Sequence, residues 1–353
     1  MPTTDIKHGK VGIGIIGCGG IGFNQHIPAY LAHTDLCDVV AVCDISEELA
    51  KKAGAQYDVK HVYTDYVDLL ARDDIQAVSI CTPNLYHFDP TIAALTAGKH
   101  VLVEKPLADT VAHGEMMVEV ARKAGRKLMC CQNRRFDGAT QALKKFVDEG
   151  RLGTPYWARA QALRRRGIPG WGVFIDKAKQ GGGPLIDIGV HVLDTTLYLM
   201  GQPKPVAVSG ATYVKFGNRP DVLGLMGQWD HTRFTVEDFA TAMIRFEDGA
   251  TIMLESSFAA NLPHDVYDAT ILGDKGGLTL TPPRLYTESM MQLLEITPTS
   301  VPQVKAHQAA IGGYLKAIID DTEVPVPGHE ALNCLRILDA VYRSAEAGCE
   351  MSL

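Results

Sequence analysis

Along the first 130 residues, short apolar runs alternate with segments whose apolar positions recur at helical spacing. "KVGIGIIG" (10–17), "CDVVAVCDI" (37–45), "AVSICT" (77–82) and "HVLVEK" (100–105) are rich in β-branched residues. They are apolar on both faces, as strands buried between two helical layers must be. Between them, "SEELAKKAGAQY", "DPTIAALTAG" and "TVAHGEMMVEVARKAG" read as helices, the last two closing on a glycine suited to a C-cap. Strand and helix alternating at this spacing predict a parallel, doubly wound sheet.

From about Pro155 the pattern changes to longer strands that follow one another directly: "PYWARAQAL", "PVAVSGATYVKFG", "DFATAMIRFE", "ATIMLESSFA" and "DATILG". "EDGA" (247–250) fits the tight turn of a hairpin. The expectation is an antiparallel sheet, interrupted by a helix over 184–200 and followed by an amphipathic helix over 330–348. The fold class is therefore α/β, with an N-terminal doubly wound parallel sheet and a C-terminal α/β domain built on a mainly antiparallel sheet.

Composition narrows the function classes. The 353 residues are 46% hydrophobic and 21% charged, with a net charge of −7. That is ordinary globular composition and argues against a nucleic-acid partner, which needs a basic face. Arg164, Arg165 and Arg166 form a single short basic cluster. The eight cysteines show no CxxC spacing, which leaves zinc and dithiol redox readings without support and suits a reducing, cytoplasmic setting. No run reaches the ~18 apolar residues of a membrane span. Lys7 and Lys10 before "VGIGIIGCGGIG" superficially suggest an export leader, but the apolar part is short, glycine-broken and preceded by no twin arginine.

The chemistry concentrates at strand ends. Gly17, Gly19 and Gly22 form GxGxxG where the first strand gives way to a helix, so the loop containing Gly20 and Ile21 can approach a pyrophosphate closely. Asp44 closes the second strand, where a carboxylate accepts both ribose hydroxyls of an adenosine and repels a 2′-phosphate. Ile45 and Ser46 follow it without a basic residue, favouring NAD over NADP. Thr82, Pro83 and Asn84 follow the third strand, and His87 and Glu104 join them as cofactor-side candidates. Lys105, in "VEKPL", ends the next strand and suits hydrogen bonding to a substrate hydroxyl or an alkoxide.

"GGGPLIDIGVHVLD" (181–194) follows a glycine hinge with Asp187, His191 and Asp194 at i, i+4 and i+7, one face of a helix. A carboxylate beside the imidazole raises its pKa from near ~6.5 and equips it to exchange a proton with a carbinol hydroxyl.

Together, GxGxxG, Asp44, Glu104-Lys105-Pro106 and GGGxxxDxGxH resemble the Gfo/Idh/MocA oxidoreductases, which include inositol, glucose and other sugar dehydrogenases. The resemblance spans nearly the whole chain, "SAEAG" near the C-terminus included. It implies a Rossmann domain over 1–131 and a substrate-binding and oligomerisation domain over 132–353, the latter with an open sheet that often mediates dimers or tetramers. The C-terminal helix is a candidate to pack back on the first domain. Lys105, Asp187 and His191 are then the catalytic and substrate-binding residues, and the peptide before Pro106 is a candidate cis bond. "CQNRRFD" (131–137) places Asn133, Arg135 and Phe136 near nicotinamide and substrate by the same analogy, Asn133 on the cofactor side and Arg135 on the substrate side. "RRRGIPGWGVF" (164–174) adds Trp171 as a flat apolar face for a sugar ring. No metal is expected. Three functions remain open: an NAD-dependent dehydrogenase of a sugar or cyclitol, a redox-neutral glycoside hydrolase that retains NAD, and a non-catalytic sugar sensor.

Overall fold

The computed structural model describes residues 9–353; Lys7, part of the leader question, lies outside the described residues. The chain divides into two compact units. The first takes in the chain up to Asn133 together with Val304–Leu332, and the second comprises Arg134–Gln303 and Asn333–Leu353.

In the first unit, strands β1 (Val11–Ile16), β2 (Cys37–Cys43), β3 (His61–Tyr63), β4 (Ala77–Ile80), β5 (His100–Val103) and β6 (Leu128–Cys130) form one sheet in the order β3-β2-β1-β4-β5-β6. Every pairing is parallel. All residues of β1, β4, β5 and β6 are buried, which explains their apolar runs on both faces. The order reverses between β1 and β4, and that switch point opens a crevice at the carboxyl ends of the strands. Two of the helices show why they begin where they do. Ser46 caps α2 (Glu47–Tyr57) by accepting from Leu49 N–H. Thr110 caps α5 (Val111–Ala124), which ends on Gly125 at φ +62°. The later segment adds α9 (Ala306–Ile319) against α1 (Ile27–Leu31), with Tyr30 and Tyr314 both fully buried.

The second unit is a nine-stranded sheet in the order β14-β13-β12-β11-β7-β10-β9-β8-β15. Its expected members are β7 (Pro155–Leu163), β8 (Pro205–Tyr213), β9 (Phe239–Phe246), β10 (Thr251–Ser257) and β11 (Val266–Gly273). β9 and β10 are joined by the anticipated hairpin, with Gly249 at φ +88° and Phe246 N–H donating to Ala250 O at 3.0 Å. β7 and β10 pair in parallel, so the sheet is mixed but mainly antiparallel. β12 (Gly276–Thr279), β13 (Arg284–Ser289) and β14 (Gln292–Ile296) extend one edge, and β15 (Met351–Ser352) closes the other. One face carries the core: Ala240, Ile244, Ile252 and Leu254 pack with Val192, Leu193 and Leu197 of α8 (Val190–Leu199) and with Ile337 and Val341 of α10 (Gly328–Ala347).

The helix anticipated over 184–200 is not uniform. Leu185–Gly189 is a π-helical turn, and only Val190–Leu199 is α-helical. Gly189 permits this, because a Cβ there would lie 3.1 Å from the Ser256 side chain, whose hydroxyl donates to Pro184 O at 2.8 Å.

Candidate functional site

Each glycine of the first-unit loop has its own reason. Gly17 sits at φ +100°, and a Cβ there would meet the Cys81 carbonyl carbon at 2.6 Å and Thr82 N at 2.8 Å. Its missing side chain lets the ends of β1 and β4 close together. A Cβ on Gly22 would lie 2.1 Å from Gly17 O, so this residue seals the loop onto its helix. Gly19 and Gly20 are different: a Cβ on either would meet nothing within 4 Å. These two line open space where the helix presents its first N–H groups, the arrangement a pyrophosphate requires. Ile21, half-buried, is the first side chain beyond that opening.

Asp44 belongs to the same cradle. Its carboxylate accepts from Cys18 N–H at 2.7 Å, inside the glycine loop, and from Ser46 N–H at 2.9 Å. The loop and the carboxylate are thereby fixed to each other, and the half-buried acid keeps acceptor capacity for ribose hydroxyls. The cradle fits NAD. Thr82 donates from its hydroxyl to Tyr86 O at 2.8 Å, and Pro83 precedes a 3-10 turn over Asn84–Tyr86 in which Asn84 is buried.

Two cofactor-side candidates turn inward instead. His87 is fully buried, with Nδ1 2.8 Å from Pro106 O and Nε2 2.9 Å from Thr82 O. It braces two strand-end loops, and burial lowers its pKa. The Lys105–Pro106 bond is cis.

Glu104 is 5% exposed, with Oε1 accepting from His26 Nε2 at 2.8 Å and Oε2 from Lys105 N–H at 3.1 Å. Burial opposes its ionisation. The hydrogen bond and charge of His26, with the charges of His307 and Lys105, outweigh that and hold the carboxyl well below the usual range. Glu104 is thus a buried anion bonded to the backbone of half-buried Lys105.

The network extends through His26 Nδ1 to Ser79 Oγ at 3.2 Å and on to Tyr30 Oη at 2.8 Å. Asn133 Nδ2 lies 3.4 Å from His307 Nδ1. Ligand atoms of His26, Glu104, Cys131 and His307 fall within 4.8 Å of one another. Holding a cation there would break the His26–Glu104 bond and deprotonate Cys131, whose thiol burial pushes well above its ordinary range.

In the second unit the three glycines of the hinge also divide their work. Gly181 ends α7 (Lys177–Gln180) at φ +88°. A Cβ on Gly182 would lie 2.0 Å from Tyr342 Oη, and one on Gly183 would lie 2.2 Å from Glu237 O. Glu237, 6% exposed, clamps the hinge: Oε2 accepts from Gly183 N–H at 2.9 Å, and Oε1 from Leu185 N–H at 3.1 Å and Tyr342 O–H at 2.9 Å. Nothing in "TVEDFA" marks this acid out in the sequence.

Beyond the clamp, the π turn carries buried Asp187, whose N–H donates to Gly183 O at 3.0 Å. His191 follows, half-buried, on the first turn of α8. π turns are frequent at functional sites, where they re-aim side chains.

Asp194 has a partner of its own. With Arg135 it forms a buried two-pronged ion pair, Nε to Oδ2 at 2.8 Å and Nη2 to Oδ1 at 2.7 Å, with side chains 2% and 1% exposed. Arg135, expected at the substrate, is thus buried and paired, and its guanidinium also lies 5.1 Å from the Tyr198 ring centre. The π turn changes the helical phase between Asp187 and the residues of α8. Trp171, by contrast, is 54% exposed and borders a cavity.

Comparison with known proteins agrees with this layout. Residues 11–131 match the profile of an oxidoreductase family with an NAD-binding Rossmann fold, and 140–279 match the GFO/IDH/MocA C-terminal domain. D-glucoside 3-dehydrogenase of Escherichia coli (strain K12) is 34% identical over 97% of both chains. Among solved structures, the aldose-aldose oxidoreductase from Caulobacter crescentus in complex with glycerol superposes with a TM-score of 0.80. It is 28% identical and covers 98% of this chain and 100% of its own. Levoglucosan dehydrogenase in complex with NADH reaches a TM-score of 0.84 at 23% identity, covering 97% and 99%, a likeness of fold.

Proposed function

The chain belongs to the Gfo/Idh/MocA family of NAD-dependent oxidoreductases, and on that premise we propose that it oxidises a secondary alcohol of a sugar or cyclitol. The observation that carries this reading is the clamped glycine hinge, which ends in buried Asp187 and half-buried His191. The names of its relatives support the substrate class. NAD, when bound, supplies the hydride acceptor.

The chain's residues do the rest. The glycine loop and Asp44 seat the cofactor, while Lys105 binds the reacting hydroxyl and stabilises the alkoxide. His191 takes the hydroxyl proton in oxidation and returns it in reduction, with Asp187 favouring the imidazolium. Glu104 acts as a positioning residue, since it holds the Lys105 backbone and faces away from solvent. The same reading places the protein in a reducing compartment as a homo-oligomer. Seven of its eight cysteines are buried free thiols, and no described helix is long and apolar enough to cross a membrane.

The test is NADH formation on a panel of inositols, aldoses and glucosides, with wild type, His191→Ala and Lys105→Ala. The variants are expected to lose roughly 10²–10⁴-fold in turnover while binding NADH as wild type does. Near-normal turnover in both would overturn the roles. Aglycone release without net NADH would replace dehydrogenation by redox-neutral hydrolysis.

A further inference from the structure

Two neighbouring strands of the parallel sheet deliver groups of the site at their carboxyl ends. Glu104 follows β5 and holds the Lys105 backbone, and Asn133, expected on the cofactor side, follows β6. One imidazole lies between them. His307 Nδ1 is 3.4 Å from Asn133 Nδ2, and His307 Nε2 is 3.8 Å from Glu104 Oε1. The two approaches use opposite nitrogens of the ring, so a single side chain spans both strand ends.

The chemistry of the three groups sets which way the ring faces. An amide nitrogen only donates, so Nδ1 accepts from Asn133 and the ring proton sits on Nε2, toward the carboxylate. A proton there suits Glu104, a buried anion. At 3.8 Å the contact is within ion-pair reach and beyond a hydrogen bond. His26 at 2.8 Å therefore anchors the carboxylate, and His307 steers it.

The ring stands on a rigid mount. His307 belongs to the first turn of α9, which packs on α1 and on the π turn over Gly22–His26. His33 Nε2 lies 2.9 Å from Gln308 O, and a Cβ on Gly312 would stand 2.9 Å from the same His33 ring. Ile311, Tyr314 and Leu315 are fully buried. The His26 ring meets the His307 ring edge-on, with centres 5.9 Å apart. A helix seated this firmly holds its first-turn side chain to a narrow range, as the support of a reacting group must. No sequence signal marks the residue, because its partners come from chain ends of β5 and β6 far upstream.

We propose that His307 is a positioning residue with two separable tasks: through Nδ1 it orients Asn133 for the cofactor, and through Nε2 it steers Glu104, and with it Lys105, for the reacting hydroxyl. The proposal rests on the dehydrogenase reading and adds a residue to that same site.

Two conservative variants each keep half of the ring's function. Glutamine places its amide near the Nε2 position and keeps a donor toward Glu104. Asparagine places its amide near the Nδ1 position and keeps an acceptor toward Asn133. Fluorescence titration gives the NADH dissociation constants, and NADH formation on the sugar or cyclitol that wild type oxidises fastest gives kcat and KM. His307→Gln is expected to weaken NADH binding about tenfold, roughly one hydrogen bond, with kcat the less affected. His307→Asn is expected to reverse the pattern, lowering kcat about tenfold with NADH binding the less affected. His307→Ala should show both losses. Equal patterns in the Gln and Asn variants, or a lowered melting temperature with binding and kcat unchanged, would make His307 a packing residue and overturn the proposal. If wild type oxidises nothing on the panel, the dehydrogenase reading fails by itself. The rate at which an amine-reactive reagent labels Lys105, read by mass spectrometry, then takes the place of kcat. Labelling altered in His307→Asn and not in His307→Gln supports the positioning role, and identical labelling in both overturns it.

Discussion

Removing the Glu237 carboxylate is expected to loosen the glycine hinge on which Asp187 stands. Three donors converge on that carboxylate: Gly183 N–H, Leu185 N–H and Tyr342 O–H. At ~1.5 kcal/mol for each hydrogen bond to a charged group, the low end of the usual range, Glu237→Ala costs about 4–5 kcal/mol. Tyr342→Phe removes one of the three bonds and costs ~1.5 kcal/mol by the same reckoning. All three tryptophans, Trp157, Trp171 and Trp229, lie in the second unit, so intrinsic fluorescence during denaturant unfolding reports on that unit alone.

The pH dependence supplies a second reading of the same group. Burial pushes the Glu237 carboxyl above its ordinary value of 4.5, against the pull of its hydrogen bonds. The unfolded chain therefore releases this proton first as pH rises. The contribution of Glu237 to stability falls from about pH 4.5 upward through its folded-state pKa. Glu237→Gln should flatten that slope. If Glu237→Ala stays within ~1 kcal/mol of wild type, or Tyr342→Phe costs as much as Glu237→Ala, the clamp is not what holds the hinge.

Asp194→Ala removes the two-pronged partner of the buried Arg135 guanidinium and is expected to cost ~3–5 kcal/mol, read as a lowered denaturation midpoint; a loss confined to KM at full stability would refute a structural role for the pair. Gly19→Ala should melt like wild type without NAD yet weaken NADH binding at least about tenfold in a fluorescence titration, because its Cβ enters only open space. Gly17→Ala should instead lower the melting temperature itself, through its clash with Cys81 and its positive φ. Glu104, held below its ordinary 4.5, contributes stability that is present above that pH and lost as pH falls below it. Circular dichroism melts across the acid range should show the loss in wild type and its absence in Glu104→Gln.

The parallel sheet is legible because β1, β4 and β5 are buried on both faces and so read as unbroken apolar runs. The glycine loop and Asp44 were legible because they sit where such runs stop. β12 to β14 escaped notice because residues such as Leu293 and Leu294 lie exposed at a sheet edge, where no core imposes alternation. The π turn is invisible for a different reason: its apolar positions are those an α-helix would show, and the close approach of Gly189 to Ser256 joins residues far apart along the chain. The burial of Glu104 has no local signal, because the partners that hold it, His26 and His307, lie far away along the chain.

The first unit is assembled from two stretches of chain that are made at different times. Its six strands end before Asn133, but α9, which covers Tyr30 and brings His307 toward Glu104, begins only after Val304. At ~5–20 residues per second, the ribosome needs roughly 10–30 s to make what lies between. During that interval the nascent sheet has apolar surface uncovered and Glu104 without one of its cationic neighbours. The larger part of the second unit, Arg134–Gln303, emerges inside this gap. Each unit therefore waits for late-made chain, the first for Val304–Leu332 and the second for Asn333–Leu353, so neither finishes packing until synthesis is almost over.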